Sequence, residues 1–393
     1  MPAPGMSEKV GRSDPDVLDE LQANHKTQQR LRVLLQKIVS PSLEIVVTHF
    51  FVLLARQWTF SQTLKSWFKA SLTDLTVQIS LGFLDSSNFV TVQAKFTQSH
   101  DKEILKDIKN EQLEFQKEFF KFDEDFEYGA ELPHIFVRDW AQCQRKLIER
   151  FSSVIGDIHF NKSNTVNKTL LQCVYETVDK PNAPNYALLL LWATQANAVP
   201  ASFWTLVFVL SNTSLHRRLV NEVVDVFPRS RNLVSEPATK DDVRRLTFTK
   251  SCVLESIRLV SPGMITRKLT EPLKLTCYTV PKDHYLVLSP YWCHRNKALF
   301  PNPEMFDPDR WNSVLLEKNL FLDGFVAFGG GRFMCPGRWF ALMEMQLIIA
   351  AVIHQFHLEL VDSVPDASTL HLVGVQAPKA KCRVRMQRSN DTD

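Results

Sequence analysis

Apolar side chains recur three and four residues apart along much of the chain, the mark of helices that bury one face. Leu31, Leu34, Leu35 and Ile38 form one such set, and glycine and proline are sparse from residue 19 to 160. The same spacing predicts helices over Asp139–Ile155, Tyr186–Asn212, Ser214–Val226 and Lys240–Leu259. Asp123-Glu124-Asp125-Phe126-Glu127-Tyr128-Gly129, followed by Pro133, reads as a loop between two helices, with its acid run a solvated turn.

The run from Pro181 to His216 holds no Asp, Glu, Lys or Arg, and its middle, Ala187–Leu210, is long enough to cross a bilayer. Gln195, Asn197 and Pro200 stand at its centre. Polar groups at that depth in lipid are expensive unless they serve a site. Two readings stay open: a helix buried through a large domain, apolar on every side, or a membrane span, with the buried helix preferred. Ile45–Ala55 is too short for a span, and residues 1–18, polar and carrying Pro2, Pro4 and Pro15, read as a disordered start with no signal peptide.

The pattern changes after Ser261. Eight of the 20 prolines lie between Pro262 and Pro336, and five of the 12 glycines between Gly324 and Gly337. Short β-rich pieces appear at Leu273–Tyr278 and Tyr285–Leu288, and a long apolar helix is predicted over Trp339–Gln355. The fold class is therefore mainly α with small β-sheets, with one body over 19–388 and a short tail at 389–393.

Composition narrows the chemistry. The 393 residues are 45% apolar and 23% charged, which excludes a disordered or collagen-like chain. A net charge of +3 with dispersed basic residues offers no footprint for nucleic acid. Seven widely spaced cysteines without a C-x-x-C speak against a disulfide framework and a zinc ribbon.

The informative stretch is Phe328-Gly329-Gly330-Gly331-Arg332-Phe333-Met334-Cys335-Pro336-Gly337. Its glycines permit a tight backbone path, and Cys335 stands just before a helix, whose N-terminus is expected to lower a thiol's pKa. A thiolate with backbone N–H groups aimed at it is what a haem iron takes as proximal ligand. A structural thiol and a nucleophile are the competing readings of a lone cysteine in such a loop. A phosphate loop is disfavoured because no Lys-Ser/Thr follows the glycines. The spacing F-x-x-G-x-x-x-C-x-G favours the haem ligand.

This loop resembles the haem-binding loop of the cytochrome P-450 monooxygenases. Glu255-Ser256-Ile257-Arg258 resembles the family's E-x-x-R, two residues that share a helix face and can pair. Phe306-Asp307-Pro308-Asp309-Arg310-Trp311 resembles its F-x-P-x-R-[FW] segment. The three motifs keep the family's order, with Glu255 80 and Arg310 25 residues before Cys335. The resemblance implies a structural triad of Glu255, Arg258 and Arg310, and a haem b held by Cys335. It also implies haem contacts from Phe328, Gly329, Gly331, Arg332 and Gly337, and Arg267 at a propionate; a solvated strand arginine is the plainer reading of Arg267. His294-Arg295-Asn296 resembles the family's H-R-[DN] strand end and reads as structural.

Leu191–Asn197 with Pro200 resembles the central helix, about 186–212, of the branch that holds sterol 7α-hydroxylases and prostacyclin synthases. Residues 123–129, 197–200, 265–268 and 371–376 narrow the resemblance to oxysterol 7α-hydroxylases within it. This implies an oxysterol substrate, O₂, and electrons from NADPH through a reductase, at the cytosolic face of the endoplasmic reticulum membrane. Gln195, Pro200, Met264, Ile265 and Val373 are the implied pocket residues, with His371–Gln376 closing the pocket. The catalytic positions fall on Asn197 and Ala198, where most members carry an acid-threonine pair. Asn197 can hydrogen-bond a ligand but cannot supply a proton as a carboxyl does, so water or a substrate hydroxyl would serve. Prostacyclin synthase-like members also lack the pair, which keeps a peroxide isomerase open, as well as a haem-poor sterol-binding relative. The loop's basic residue is Arg332, three before the cysteine, where many members carry it two before. Counterparts of the family's N-terminal anchor, proline-rich hinge, first sheet and W-x-x-x-R are not found, and the chain reads as N-terminally truncated.

Overall fold

The computed structural model describes residues 58–59, 114–115, 117–157, 175–178, 180–231, 238–312, 322–369 and 373–389. The expectations for 1–18, for the helices before residue 114 and for His371 and Leu372 lie outside these residues. In chain order the elements begin with strand β1 (Trp58–Thr59) and helices α1 (Phe126–Glu131), α2 (Arg138–Asp157), α3 (Ala183–Gln195) and α4 (Ala198–Leu210). Helices α5 (Thr213–Val226), α6 (Lys240–Arg245) and α7 (Thr247–Val260) follow. The β-rich stretch holds β2 (Ile265–Lys268), β3 (Leu273–Lys274), β4 (Thr279–Val280) and β5 (Tyr285–Leu288), and α8 (Pro290–His294) comes next. The last elements are α9 (Arg338–Gln355), β6 (Phe356–Leu360) and β7 (Cys382–Arg388).

Three helices make the core. Helices α4, α7 and α9 pack on one another, and Phe203, Trp204, Leu206, Val253, Leu254, Ile348 and Ile349 are almost wholly buried there. Helices α4 and α9 are apolar around most of their circumference because neighbours surround them, while α7, buried as deeply, carries Glu255 and Arg258 into the core. The sheets are small: β1-β7-β6, with β1 parallel to β7, and the antiparallel pairs β2-β5 and β3-β4. In the β2-β5 pair Arg267 stands opposite Leu286.

Three of the expected elements are redrawn, one by a local proline and two by long-range contacts. The helix expected over 186–212 is two helices that break at Ala196–Asn197. Pro200 has no N–H for the carbonyl of Ala196 and its ring would collide with it, whereas a proline in the first turn of a new helix is tolerated. The helix expected over 240–259 breaks at Leu246, where Gln346 from α9 donates to the carbonyls of Val243 (3.2 Å) and Leu246 (3.0 Å). Its second half, α7, takes its cap from a neighbour. Glu222 on α5 accepts from the N–H groups of Phe248 (2.6 Å) and Thr249 (2.8 Å). The acid run 123–127 is helical rather than a solvated turn. Asp123 accepts from the Trp192 indole at 3.1 Å and Glu127 from the backbone of Val373 at 2.7 Å. The true turn is 132–137. Among the described residues no single helix is long and apolar enough to cross a membrane.

Candidate haem site

Below the cysteine loop lies a buried ionic knot. Glu255 and Arg258 sit three apart on α7 with no exposed surface. Glu255 Oε1 accepts from Arg258 (2.8 Å), from Arg310 Nε (2.9 Å) and from the backbone of Asp307 (3.0 Å). Its Oε2 accepts from Arg258 Nε (2.9 Å) and from the Trp311 indole (3.1 Å). Arg258 spends its remaining donors on the carbonyls of His294, Pro303 and Met305, at 2.7–3.1 Å. One carboxylate and one guanidinium thus tie down the irregular chain from 294 to 311, which has little regular hydrogen bonding of its own.

His294 carries this hold to the loop. Fully buried at the C-terminal end of α8, and so helical rather than at a strand end, it meets the Arg258 carbonyl with Nδ1 at 3.1 Å. Its Nε2 accepts the Val326 N–H at 3.1 Å. An imidazole that donates with one nitrogen and accepts with the other is neutral, and burial pulls its pKa from 6.5 to about 4. In that window the unfolded state takes the proton and the folded state does not, so stability falls as pH drops from 6.5 toward 4. The loss expected from this group is about 3 kcal/mol. Urea unfolding of the wild type and His294→Gln at pH 7 and pH 4 checks it; equal pH dependence in the two proteins contradicts it.

The loop closes through its backbone. Cys335 N–H donates to the Phe328 carbonyl at 2.8 Å, and Gly329 N–H to that of Val326 at 2.9 Å. Gly329 (φ 73°) and Gly331 (φ 59°) take left-handed conformations that side chains resist. Gly331–Phe333 make a short 3-10 turn, and α9 starts at Arg338. The backbone N–H groups of Gly337 and Arg338 and the Arg338 charge favour the anion at the Cys335 sulfur, and Arg338 Nη1 donates to the Cys335 carbonyl at 2.8 Å. The residue keeps exposed surface. Burial of the thiol nevertheless outweighs the two N–H groups and the Arg338 charge, so its pKa is raised, where the helix N-terminus was expected to lower it. A bound metal cation would reverse that balance, since a coordinating thiol is deprotonated outright.

This donor set fits a haem. A single sulfur stands at the start of α9 and is reachable from outside, and a cation stands beside the loop: the Arg267 guanidinium on β2 lies 4.7 Å from the centre of the Phe333 ring. Arg332 lies on the 3-10 turn by its backbone, and its side chain is outside the described residues. Among the other sites read from the sequence, Ala198 and Pro200 are buried, Ile265 is half-buried, and Met264 and Val373 are exposed. Gln195 is buried with its Oε1 unpartnered among the described residues, while its Nε2 donates to Thr194 at 3.4 Å. Asn197 is committed elsewhere: its Oδ1 accepts the Val375 N–H at 3.0 Å. Sequence reasoning overlooked Glu127, Trp204 and Trp311, whose polar atoms bond to partners 246, 172 and 56 residues away. The W that closes F-x-P-x-R-[FW] was a usable signal only for Trp311.

A helical body with a glycine loop that offers one sulfur to a flat cofactor, braced from beneath by a buried Glu-Arg-Arg knot, defines the haem-thiolate class. The chain belongs to the cytochrome P450 family, whose model matches residues 18–384, and haem b is that family's cofactor. It is 44% identical over 281 residues to the 24-hydroxycholesterol 7-alpha-hydroxylase of Mus musculus, covering 70% of this chain and 59% of that protein. With the Homo sapiens protein of the same name it shares 44% over 307 residues, covering 76% and 64%. The chain thus spans about three fifths of the length of these relatives. Among solved structures, a retinoic acid-bound cyanobacterial CYP120A1 matches with a TM-score of 0.63 and 18% identity over 91% of this chain and 78% of that one, which shows the fold alone.

Proposed function

We propose that this chain is a haem-thiolate monooxygenase that hydroxylates an oxysterol at the 7-position, with electrons from NADPH delivered by a reductase. The observation that carries the reading is Cys335: a single sulfur ahead of α9, on a glycine loop that closes through the Cys335 N–H to the Phe328 carbonyl (2.8 Å) and is braced by the Glu255 knot. The 44% identity to 24-hydroxycholesterol 7-alpha-hydroxylases supports the substrate class. When bound, the haem supplies the oxygen-activating chemistry of a monooxygenase.

The chain's own residues divide the remaining work. Cys335 would hold the cofactor's iron, and the N–H groups of Gly337 and Arg338 would favour its thiolate. Phe328, Gly329, Gly331, Arg332 and Gly337 shape the loop around it, and Arg267 is the cation for a propionate. Gln195, Pro200, Met264, Ile265 and Val373 form the sterol pocket. A buried acceptor without a donor costs about 1–3 kcal/mol. A sterol hydroxyl would satisfy Gln195 Oε1, which favours a hydroxylated sterol over a plain hydrocarbon. Ala198 brings no proton, and Asn197 keeps only its amide N–H groups for a ligand, so proton delivery falls to water or to the substrate.

The haem-loaded protein, given a reductase, NADPH and 24-hydroxycholesterol, is expected to form a product heavier by one oxygen atom, detected by mass spectrometry. Product only without reductase, from a peroxide, would make the chain an isomerase. No product from either substrate would refute catalysis.

A membrane surface is the proposed setting. In the turn at 132–137, Leu132, Ile135 and Phe136 are 43%, 63% and 75% exposed. Three adjacent apolar side chains of this size suit the interface of a bilayer, the place such a sterol partitions. Ile135→Asp combined with Phe136→Asp is expected to weaken binding to phosphatidylcholine–phosphatidylserine vesicles by at least about tenfold. Sedimentation of wild type and double variant alike with the vesicles contradicts this.

A further inference from the structure

Among the described residues the segment 373–376 has no ladder partner, yet its backbone is engaged at five places, one of them the Gly374 carbonyl, which accepts from the Ser261 hydroxyl at 3.5 Å. Val373 N–H donates to Glu127 on α1 at 2.7 Å. Val375 N–H donates to Asn197 at the α3–α4 break at 3.0 Å. The Gln376 carbonyl accepts from the Trp204 indole on α4 at 2.7 Å, and its N–H donates to the Val260 carbonyl at the end of α7 at 2.9 Å. Gln376 is thus anchored to core helices, while the N–H groups of Val373 and Val375 in the upstream half hang on two side chains.

Of those two, Asn197 is the one fitted to the strap. Gly374 has φ +90°, and a Cβ there would lie 2.1 Å from Asn197 Oδ1. The amide therefore sits directly against the strap backbone, in space that only a glycine leaves. Pro200 is what brings it there. By ending the helical ladder at Ala196, it places Asn197 ahead of α4 (φ −107°, ψ −45°), where its side chain reaches a distant strand of chain. An amide whose carbonyl accepts a backbone N–H also has its rotation settled, so its NH₂ is the only group it can offer a ligand.

We infer that Asn197 is a positioning residue that fixes the 373–376 strap over the break between α3 and α4, with its carbonyl oxygen as the working atom. Its effect on the sterol rests on the function proposed above; the latch itself does not. The place where relatives by resemblance carry an acid of a proton relay is here occupied by a group whose acceptor is already used to hold a wall of the site.

The variants Asn197→Asp and Asn197→Ala separate the two roles. Aspartate keeps an oxygen for the Val375 N–H and loses the NH₂, while alanine loses both. In Asn197→Ala, hydrogen exchange at the Val375 amide is expected to accelerate about tenfold, the loss of one net hydrogen bond, while Asn197→Asp keeps the wild-type rate. Gly374→Ala, which drives a methyl group into Oδ1, is expected to match Asn197→Ala. For the haem-loaded protein, KM for 24-hydroxycholesterol should rise in Asn197→Ala and return toward wild type in Asn197→Asp. Unchanged Val375 exchange in Asn197→Ala overturns the latch, as does equally fast exchange in Asn197→Asp. A fall in kcat in Asn197→Asp with KM unchanged would assign the residue to catalysis through its NH₂ and overturn positioning. If the wild type neither binds nor turns over sterol, the proposed function fails while the exchange rates still decide the latch.

Discussion

Cys335→Ala is expected to fold and to come out colourless. The loop is closed by the Cys335 N–H to the Phe328 carbonyl and by the Gly329 N–H to that of Val326, and alanine keeps both. The sulfur itself contributes no bond that holds the loop, and removing it breaks neither closing bond. Stability should therefore stay close to wild type while the iron loses its ligand. The Soret band should be lost, and with it the carbon monoxide signature of thiolate ligation in the reduced protein. Absorbance spectroscopy on protein expressed with added hemin, together with a thermal melt, reads both outcomes. A Cys335→Ala protein that keeps a thiolate-type spectrum would show that another residue holds the iron. A variant that fails to fold would show that the sulfur braces the loop.

The converse is expected of Glu255→Ala. It removes no atom that touches the cofactor, yet should destabilise the fold by about 3–5 kcal/mol, because two guanidinium groups and an indole N–H lose their shared acceptor in a dry interior. Arg258 has no exposed surface and Arg310 only 8%, so water cannot take the carboxylate's place without opening the meander. Glu255→Gln keeps acceptor geometry on one side but not the charge, and should fall between wild type and alanine. A buried ion pair is weak evidence for net stability when both partners are exchanged for apolar groups. Here the pair also holds the backbone of 294–311, and through His294 the Val326 N–H at the base of the loop. Haem retention in Glu255→Ala should therefore fall along with the urea midpoint. Wild-type stability with full haem occupancy in this variant would reduce the knot to a bystander.

Which features were legible in the sequence follows from how local their causes are. The Glu255–Arg258 pair depends on helical periodicity alone, since residues three apart share a face. The loop at 328–337 is written in glycines that permit left-handed backbone, and α9 in a long, mostly apolar run. Of the two β-rich pieces read from the sequence, Tyr285–Leu288 is β5, but it pairs with β2, while only Leu273–Lys274 of the piece at 273–278 is a strand and pairs with β4. The break at Ala196–Asn197 has a local cause in Pro200, and the other misread elements answer to distant partners. The acid run at 123–127 looked like a solvated turn because nothing nearby reveals that Trp192 and Val373 would claim two of its carboxylates. The break at Leu246 needs Gln346, a hundred residues on. The thiol of Cys335 was expected to acidify at a helix N-terminus, but the protein packed around it desolvates the sulfur more than the helix start favours the anion.

The linear order of residues was enough to determine the class of the protein: a mostly helical chain with a cysteine loop, a Glu-Arg pair and an arginine meander in a characteristic order. Those motifs act over a few residues, where covalent geometry and helical period leave little freedom. Only the tertiary structure decided what Asn197, His294 and Glu222 do. A polar side chain takes its role from whichever backbone group arrives beside it unpaired. Packing of the apolar core sets that arrival, and in a chain of this length it joins segments more than a hundred residues apart.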